Sequence, residues 1–223
     1  VVSAPGKRFK DDTKVTDLLL AYAEGTIADT DTTEIVQTIK DRYHAIGDYF
    51  DLPAYELADI DEQIDHLAQK HYRSFDYLYA AFAAHGEFLN AQLVAKVFTH
   101  LGLPARFVDP KEIGLRVDDQ ARSATFNPKS YDTIAKLDLT TSERLIVPGF
   151  FGYTENGDMA TFSRGGSDIT GAIMARGLSA DLYENFTDVS AIYAVNPNII
   201  DQPAAIKQMT YDEMRELSYA GFA

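Results

Sequence analysis

The stretch Phe162-Ser163-Arg164-Gly165-Gly166-Ser167-Asp168-Ile169-Thr170-Gly171-Ala172 decides how the rest of the chain is read. An apolar run ends at Phe162, an arginine and two glycines follow, and Ser167-Asp168 opens a helix expected over residues 167–178. Paired glycines let a ligand approach the backbone without Cβ clashes. N–H groups at a helix start, with an arginine beside them, attract a carboxylate or a phosphate. Ser167 as a plain cap and Asp168 as a dipole-complementing acid would explain those two residues. Neither role needs the arginine or the glycine pair, so the stretch reads as an anion site.

On both sides of this stretch lie short β-like runs, at residues 105–108, 115–117, 145–151, 159–162 and 191–195, separated by helix-like segments or glycine turns. A last helix is expected over residues 211–219. The first hundred residues read mostly as helix. Thr16-Asp17 can cap a helix that runs through Ala23 and stops at Gly25, and residues 32–49 place Ile35, Ile39, Tyr43 and Ile46 on one face. Pro53 breaks the chain before an acidic amphipathic helix over residues 55–70, and two helical stretches over residues 75–100 meet near Gly86. At the very start, Val1-Val2-Ser3-Ala4 reads as the end of a buried strand that leads through Pro5-Gly6 into a charged loop. Strands alternating with helices predict an α/β layered sandwich. With no internal repeat, low-complexity tract or long linker, residues 1–223 are expected to form one domain.

Composition narrows the function classes. The chain has 223 residues with 20 Lys+Arg against 34 Asp+Glu, a formal net charge of −14, and 46% hydrophobic residues. That length is enough to bury a core without covalent staples. Having no cysteine, it holds no disulfide, thiolate metal site or cysteine nucleophile, which fits a cytoplasmic setting. The acidic balance argues against nucleic acid as a partner, because phosphate neutralisation needs a basic stripe. Apolar stretches such as residues 18–23 and 80–84 fall far short of the ~20 residues of a membrane span.

Several motif readings fail. Pro5-Gly6-Lys7 lacks the earlier glycine and the following Ser or Thr of a phosphate-binding loop, since Val1 and Arg8 stand there. Around Ser167 the second glycine of a nucleophile elbow would fall at Ile169. His66 and His71 are five apart and do not share a helix face, so no metal ligands are assigned. Two weaker constellations remain. Gly86-Glu87 places an acid at an expected helix start, where a solvated first-turn Glu is the commoner explanation. The segment from Asn185 to Pro197 carries Thr187 and Asp188 at a strand edge followed by Tyr193, which suits a nucleotide at the carboxyl edge of an open α/β sheet. A plain turn accounts for it equally well.

Taken in order, the Val-Val-Ser-Ala opening, Gly86-Glu87, Ser163-Arg164-Gly165-Gly166-Ser167-Asp168 and Thr187-Asp188 resemble the aspartokinases of the amino acid kinase family, over essentially the whole chain. The resemblance implies a three-layer α/β/α sandwich and transfer of the γ-phosphoryl group of ATP, accompanied by Mg²⁺, to the side-chain carboxylate of L-aspartate. That reaction opens lysine, threonine and methionine synthesis. It implies Thr16, Glu87, Arg164 and Ser167 around aspartate, with Arg164 pairing a carboxylate and Glu87 the ammonium. Asp168 would organise the transferring group, Ser3 and Ala4 would flank the phosphates, and Thr187, Asp188, Tyr193 and Asn198 would hold the nucleoside.

Three departures from the family pattern stand out. The loop between Ser3 and Thr16 is long, Asn196 replaces the usual Asp before Pro197, and Ser190-Ala191 replace the usual Asp-Gly or Pro-Gly. The family's N-terminal Lys-Phe-Gly-Gly element and C-terminal ACT regulatory region are not in the sequence, so a truncated catalytic domain of a larger homo-oligomer is expected. Other acceptors of the same family, glutamate or acetylglutamate, and a non-catalytic sensing module remain open alternatives.

Overall fold

The structure is a computed structural model that describes residues 1–163, 165–186, 192–193, 205–210 and 212–213. Its contacts group into two compact units, Val1–Tyr183 and Glu184–Ala223. Within the first unit, helices α1 (Val15–Ile27), α2 (Thr33–Tyr49), α3 (Ala58–His66) and α4 (Phe75–His100) precede strand β1 (Ala105–Phe107) and the short helix α5 (Tyr131–Ile134). Strands β2 (Arg144–Ile146), β3 (Phe151–Tyr153) and β4 (Met159–Thr161) and helix α6 (Gly166–Gly177) follow. In the second unit, β5 (Ile192–Tyr193) pairs antiparallel with β6 (Ala205–Ile206).

The strands of the first unit lie between helices. β1 pairs parallel with β2, and on the other edge of the same run Val2 bridges Pro148, also parallel. The Val2 N–H donates to Val147 and the Gly149 N–H donates back to Val2. Ile146 and Val147 are both buried although they face opposite ways, as a parallel strand covered on two faces requires. On one face Ala91 and Ala95 of α4 pack against Ile146 with Phe107 beside them, and Ala84 and Phe88 pack against Phe151 and Tyr153. On the other, Ile173 and Met174 of α6 and Ile134 of α5 close over Val108, Leu115, Val147 and Phe162. Helices α1, α2 and α3 pack outside α4 through Leu19, Ile39, Tyr43, Ile60, Phe82 and Leu89. This is the expected α/β architecture.

Several expected boundaries move, for local reasons. Gly25 does not end α1, which runs to Ile27; a Cβ there would lie 2.5 Å from the Thr32 methyl, so the glycine serves close packing. Lys14, not Thr16, occupies the cap position of α1. The two helical stretches expected to meet near Gly86 are one 26-residue helix, α4, capped by Ser74, whose hydroxyl accepts the Tyr77 N–H. Residues 55–70 divide into α3 and two flanking 3₁₀ turns. The apolar run 145–151 divides at Pro148-Gly149 into β2 and β3, and residues 115–117 make only isolated bridges. The opening residues are strand-like but not buried: Val1 and Ser3 are exposed and Val2 half-buried. Among the described residues no helix is long and apolar enough to cross a membrane.

Candidate active site

Because Val2 runs parallel to residues 144–148, Ser3-Ala4 and Gly149 emerge at the same carboxyl edge, the usual ligand position of such sheets. The middle of α4 and the start of α6 meet this edge. In α4, Gly86 lets the helix approach the chain closely: a Cβ there would lie 2.8 Å from Ala4 Cβ and 3.5 Å from both Thr16 Oγ1 and Leu19 Cδ1. Glu87 follows. Its place in the middle of a helix overturns the expected helix start and removes the solvated first-turn explanation.

Glu87 is 6% exposed, the Ala4 backbone lies near enough to favour its charged form, and Oε2 has no partner. Burial pushes this carboxyl up to about 8, against the backbone hydrogen bonds that favour its charged form. Behind it the fully buried Tyr43 hydroxyl donates to the Gly86 carbonyl at 3.1 Å. Asn90, one turn further on, donates to the Ser3 carbonyl at 2.7 Å. Ser3, Ala4, Thr16 and Glu87, separated in sequence, thus share one locality. The unpartnered carboxylate oxygen in it is suited to a cation.

At the start of α6 the backbone is arranged for close approach. Gly165 holds the cap position in the left-handed region at φ 74°, and the helix begins at Gly166. Ser167 is therefore inside the first turn and is not the cap. A Cβ on Gly149 would meet Ser167 at 2.8 Å, so the β2–β3 junction abuts the helix start. Phe150, a non-glycine at φ 76°, stands between them. Its N–H donates to Thr170 Oγ1, and that buried hydroxyl donates onward to the Gly166 carbonyl. Phe150 is thereby tied through Thr170 to the first residue of α6, and backbone held in this region clusters at functional sites. Asp168 is exposed on the first turn, and its charge reaches Tyr183, whose hydroxyl it pushes up after burial.

Tyr193 lies in β5 of the second unit. Arg164, Thr187, Asp188 and Asn198 lie outside the described residues, as do Ser190, Ala191 and Asn196. Phe150, Thr170, Asn90 and Tyr43 were given no site role by sequence. A signal existed for Tyr43, on the apolar face of α2, but a positive φ at phenylalanine leaves no mark in composition or periodicity. A cavity of about 440 Å³ at the far end of α4 contains none of the expected residues, and Lys96 on its wall already pairs with Glu56 and Asp59.

Comparison with known proteins bears on the family and the fold. Residues 2–223 match the model of the amino acid kinase family. Aspartokinase 3 of Bacillus subtilis is 45% identical over the full chain, which covers 49% of that relative. The Clostridium acetobutylicum aspartate kinase structure superposes with a TM-score of 0.80 at 35% identity, covering 97% of this chain and 47% of that one. Escherichia coli aspartokinase III in complex with aspartate and ADP superposes with a TM-score of 0.81 at 25% identity, covering 98% and 48%. The chain thus spans about half the length of these relatives.

Proposed function

The chain belongs to the amino acid kinase family, and from that premise we propose that it is the catalytic part of an aspartate kinase. The observation that carries the reading is the buried Glu87 carboxylate with one oxygen unpartnered, directly after Gly86, which Ala4 and Thr16 approach at the carboxyl edge of the strands. An α-ammonium group supplies the missing charge and hydrogen bond. The Escherichia coli aspartokinase III structure, in which aspartate and ADP are bound together, supports the choice of acceptor and donor.

In this reading Glu87 and Thr16 hold the amino end of aspartate, while Arg164 pairs a carboxylate bidentately and Ser167 donates to it. Ser3 and Ala4 flank the phosphates of ATP, and Thr187, Asp188, Tyr193 and Asn198 hold the nucleoside. An oxygen of the aspartate side-chain carboxylate forms a bond to the γ-phosphorus as the bridging P–O bond breaks and ADP leaves with the electron pair. The carboxylate is already ionised, so no base is needed, and catalysis is positioning and charge neutralisation. Asp168 at the open helix start orients the transferring group. The close-approach backbone at Gly165-Gly166, with an exposed carboxylate next to it, fits a nucleotide whose phosphates carry Mg²⁺, an ion that keeps most of its ligands as water and phosphate. The remaining parts of the proposal are a cytoplasmic location and a homo-oligomer assembled through an ACT region.

The test is an ATP-coupled assay of the full-length protein with aspartate, glutamate and acetylglutamate, trapping the acyl phosphate with hydroxylamine. Aspartate-dependent hydroxamate is expected. Turnover with glutamate or acetylglutamate in place of aspartate would replace the assigned acceptor, and aspartate binding without turnover would favour a sensing module.

A further inference from the structure

The long loop between Ser3 and Thr16 is held shut by one side chain from another helix. Arg42 of α2 is 4% exposed and lies on the apolar face of its helix, between Ile39 and Ile46. Its guanidinium donates to the Gly6 carbonyl where the loop leaves, and to the Thr13 carbonyl at 2.8 Å where it returns. The same group pairs at 2.9 Å with Asp12, which is 8% exposed and also receives the Arg8 N–H and guanidinium. At the loop's base the Val15 N–H donates to the Pro5 carbonyl. Hydrogen bonds from Arg8, with the Arg42 charge, hold the Asp12 carboxyl well below the usual range, while burial and the Arg8 charge lower Arg42.

A buried cation is costly unless its donors are used, and Arg42 uses them on both limbs of one loop. The limbs end on two residues that approach Gly86, next to Glu87: Ala4 precedes Pro5-Gly6, and Thr16 follows two residues after Lys14. We propose that Arg42 is a positioning residue for aspartate binding, a strap that fixes residues 5–14 so that Ala4 and Thr16 stay registered against Glu87. This rests on the assignment of Thr16 and Glu87 to the aspartate site. Because the planar fork reaches two carbonyls and a carboxylate at once, lysine cannot replace it.

The experiment uses the full-length enzyme with Arg42→Gln, Arg42→Lys and Asp12→Asn, and with Lys40→Gln as the control, a cation on the same helix as Arg42 that pairs instead with Asp65 of α3. Steady-state kinetics and amide exchange of residues 6–14 are measured for each. Arg42→Gln and Arg42→Lys are expected to raise the aspartate KM about tenfold, leaving kcat and the ATP KM within about twofold, with faster exchange in the loop. Asp12→Asn, which keeps both carbonyl bonds, should raise it about threefold, and Lys40→Gln should change nothing. Should Arg42→Gln not fold, Arg42→Lys carries the test, since it keeps a charge beside Asp12. A lower kcat with an unchanged aspartate KM would make Arg42 merely structural and overturn the proposal. Glu87→Gln and Thr16→Ala, assayed alongside, separate the two layers. If they raise the aspartate KM and the Arg42 variants do not, the strap fails alone; if they too leave it unchanged, the site assignment fails with it.

Discussion

Glu87 and Asp168 each follow close upon a glycine that something packs against, yet their surroundings are opposite. Glu87 sits in the interior of α4 with its charge disfavoured, whereas Asp168 stands exposed on the first turn of α6, where the helix dipole favours its charge. The difference teaches what each acid can do. A buried carboxylate lacking one partner gains most from a cation that enters with a ligand, and so suits recognition. An exposed one at a helix start meets charge that changes during reaction, and so suits catalysis.

The sharpest way to break this contrast is Asp168→Asn in the full-length enzyme. It should lower kcat by about 10²–10³, with the ATP and aspartate KM values within about twofold, in steady-state kinetics. A kcat within about threefold of the parent would reduce Asp168 to an ordinary first-turn acid. Glu87→Gln should do the reverse and raise the aspartate KM by about 10- to 100-fold while leaving kcat closer to its parent value, the cost of one charge-assisted hydrogen bond of about 1.5–3 kcal/mol. If both variants moved the same parameter, the division of roles would fall.

The glycines sharpen the comparison further. In a helix Gly→Ala ordinarily gains about 1 kcal/mol. At Gly166 the new methyl would lie 2.6 Å from Phe150 Cδ2 and 3.1 Å from Phe150 Cα, beside backbone already in the left-handed region, so a net loss of about 1–3 kcal/mol is expected in urea unfolding. At Gly86 the obstacle is the Ala4 methyl at 2.8 Å, with no backbone atom among the near contacts. Gly86→Ala should cost less than Gly166→Ala and show itself chiefly in the aspartate KM.

The contrast also shows in pH dependence. Burial raises the Glu87 carboxyl from 4.5 to about 8, so the folded, ligand-free protein keeps a proton that the unfolded chain has released. Between those values stability therefore falls as pH rises, by at most about 1.4 kcal/mol per pH unit from this group. Glu87→Gln removes the term, and its Tm relative to the parent should climb from pH 5 to pH 8. A constant difference would mean that the carboxyl is solvated after all.

Helix α2 was legible because Ile39 and Tyr43 recur at helical spacing and are fully buried. Helix α6 was legible because two glycines mark its start. The strands are two or three residues long, too short for a period of two to register, and β1 finds its partner β2 some forty residues away. Gly86 misled for a physical reason: glycine weakens a helix, and only the approach of Ala4 explains its retention in one. Arg42 was detectable in principle, as a charge between Ile39 and Ile46, but its partners Gly6 and Thr13 lie in a loop with no periodicity to read. The resemblance supplied residue roles that spacing did not, and of those Ser3, Ala4, Thr16 and Glu87 converge, with Ser167 beside Gly149 at the same strand edge.

Helix α4, about 39 Å long at 1.5 Å per residue, touches every layer of the first unit. Tyr77, Phe82, Ala84 and Ala91 each belong to a different apolar cluster, so no cluster keeps its wall once this rod leaves. Residues 1–183 should accordingly melt as one cooperative block, with no partly unfolded species that retains the helical side alone. Near-ultraviolet signals from its tyrosines and far-ultraviolet signals from its helices should share a single midpoint.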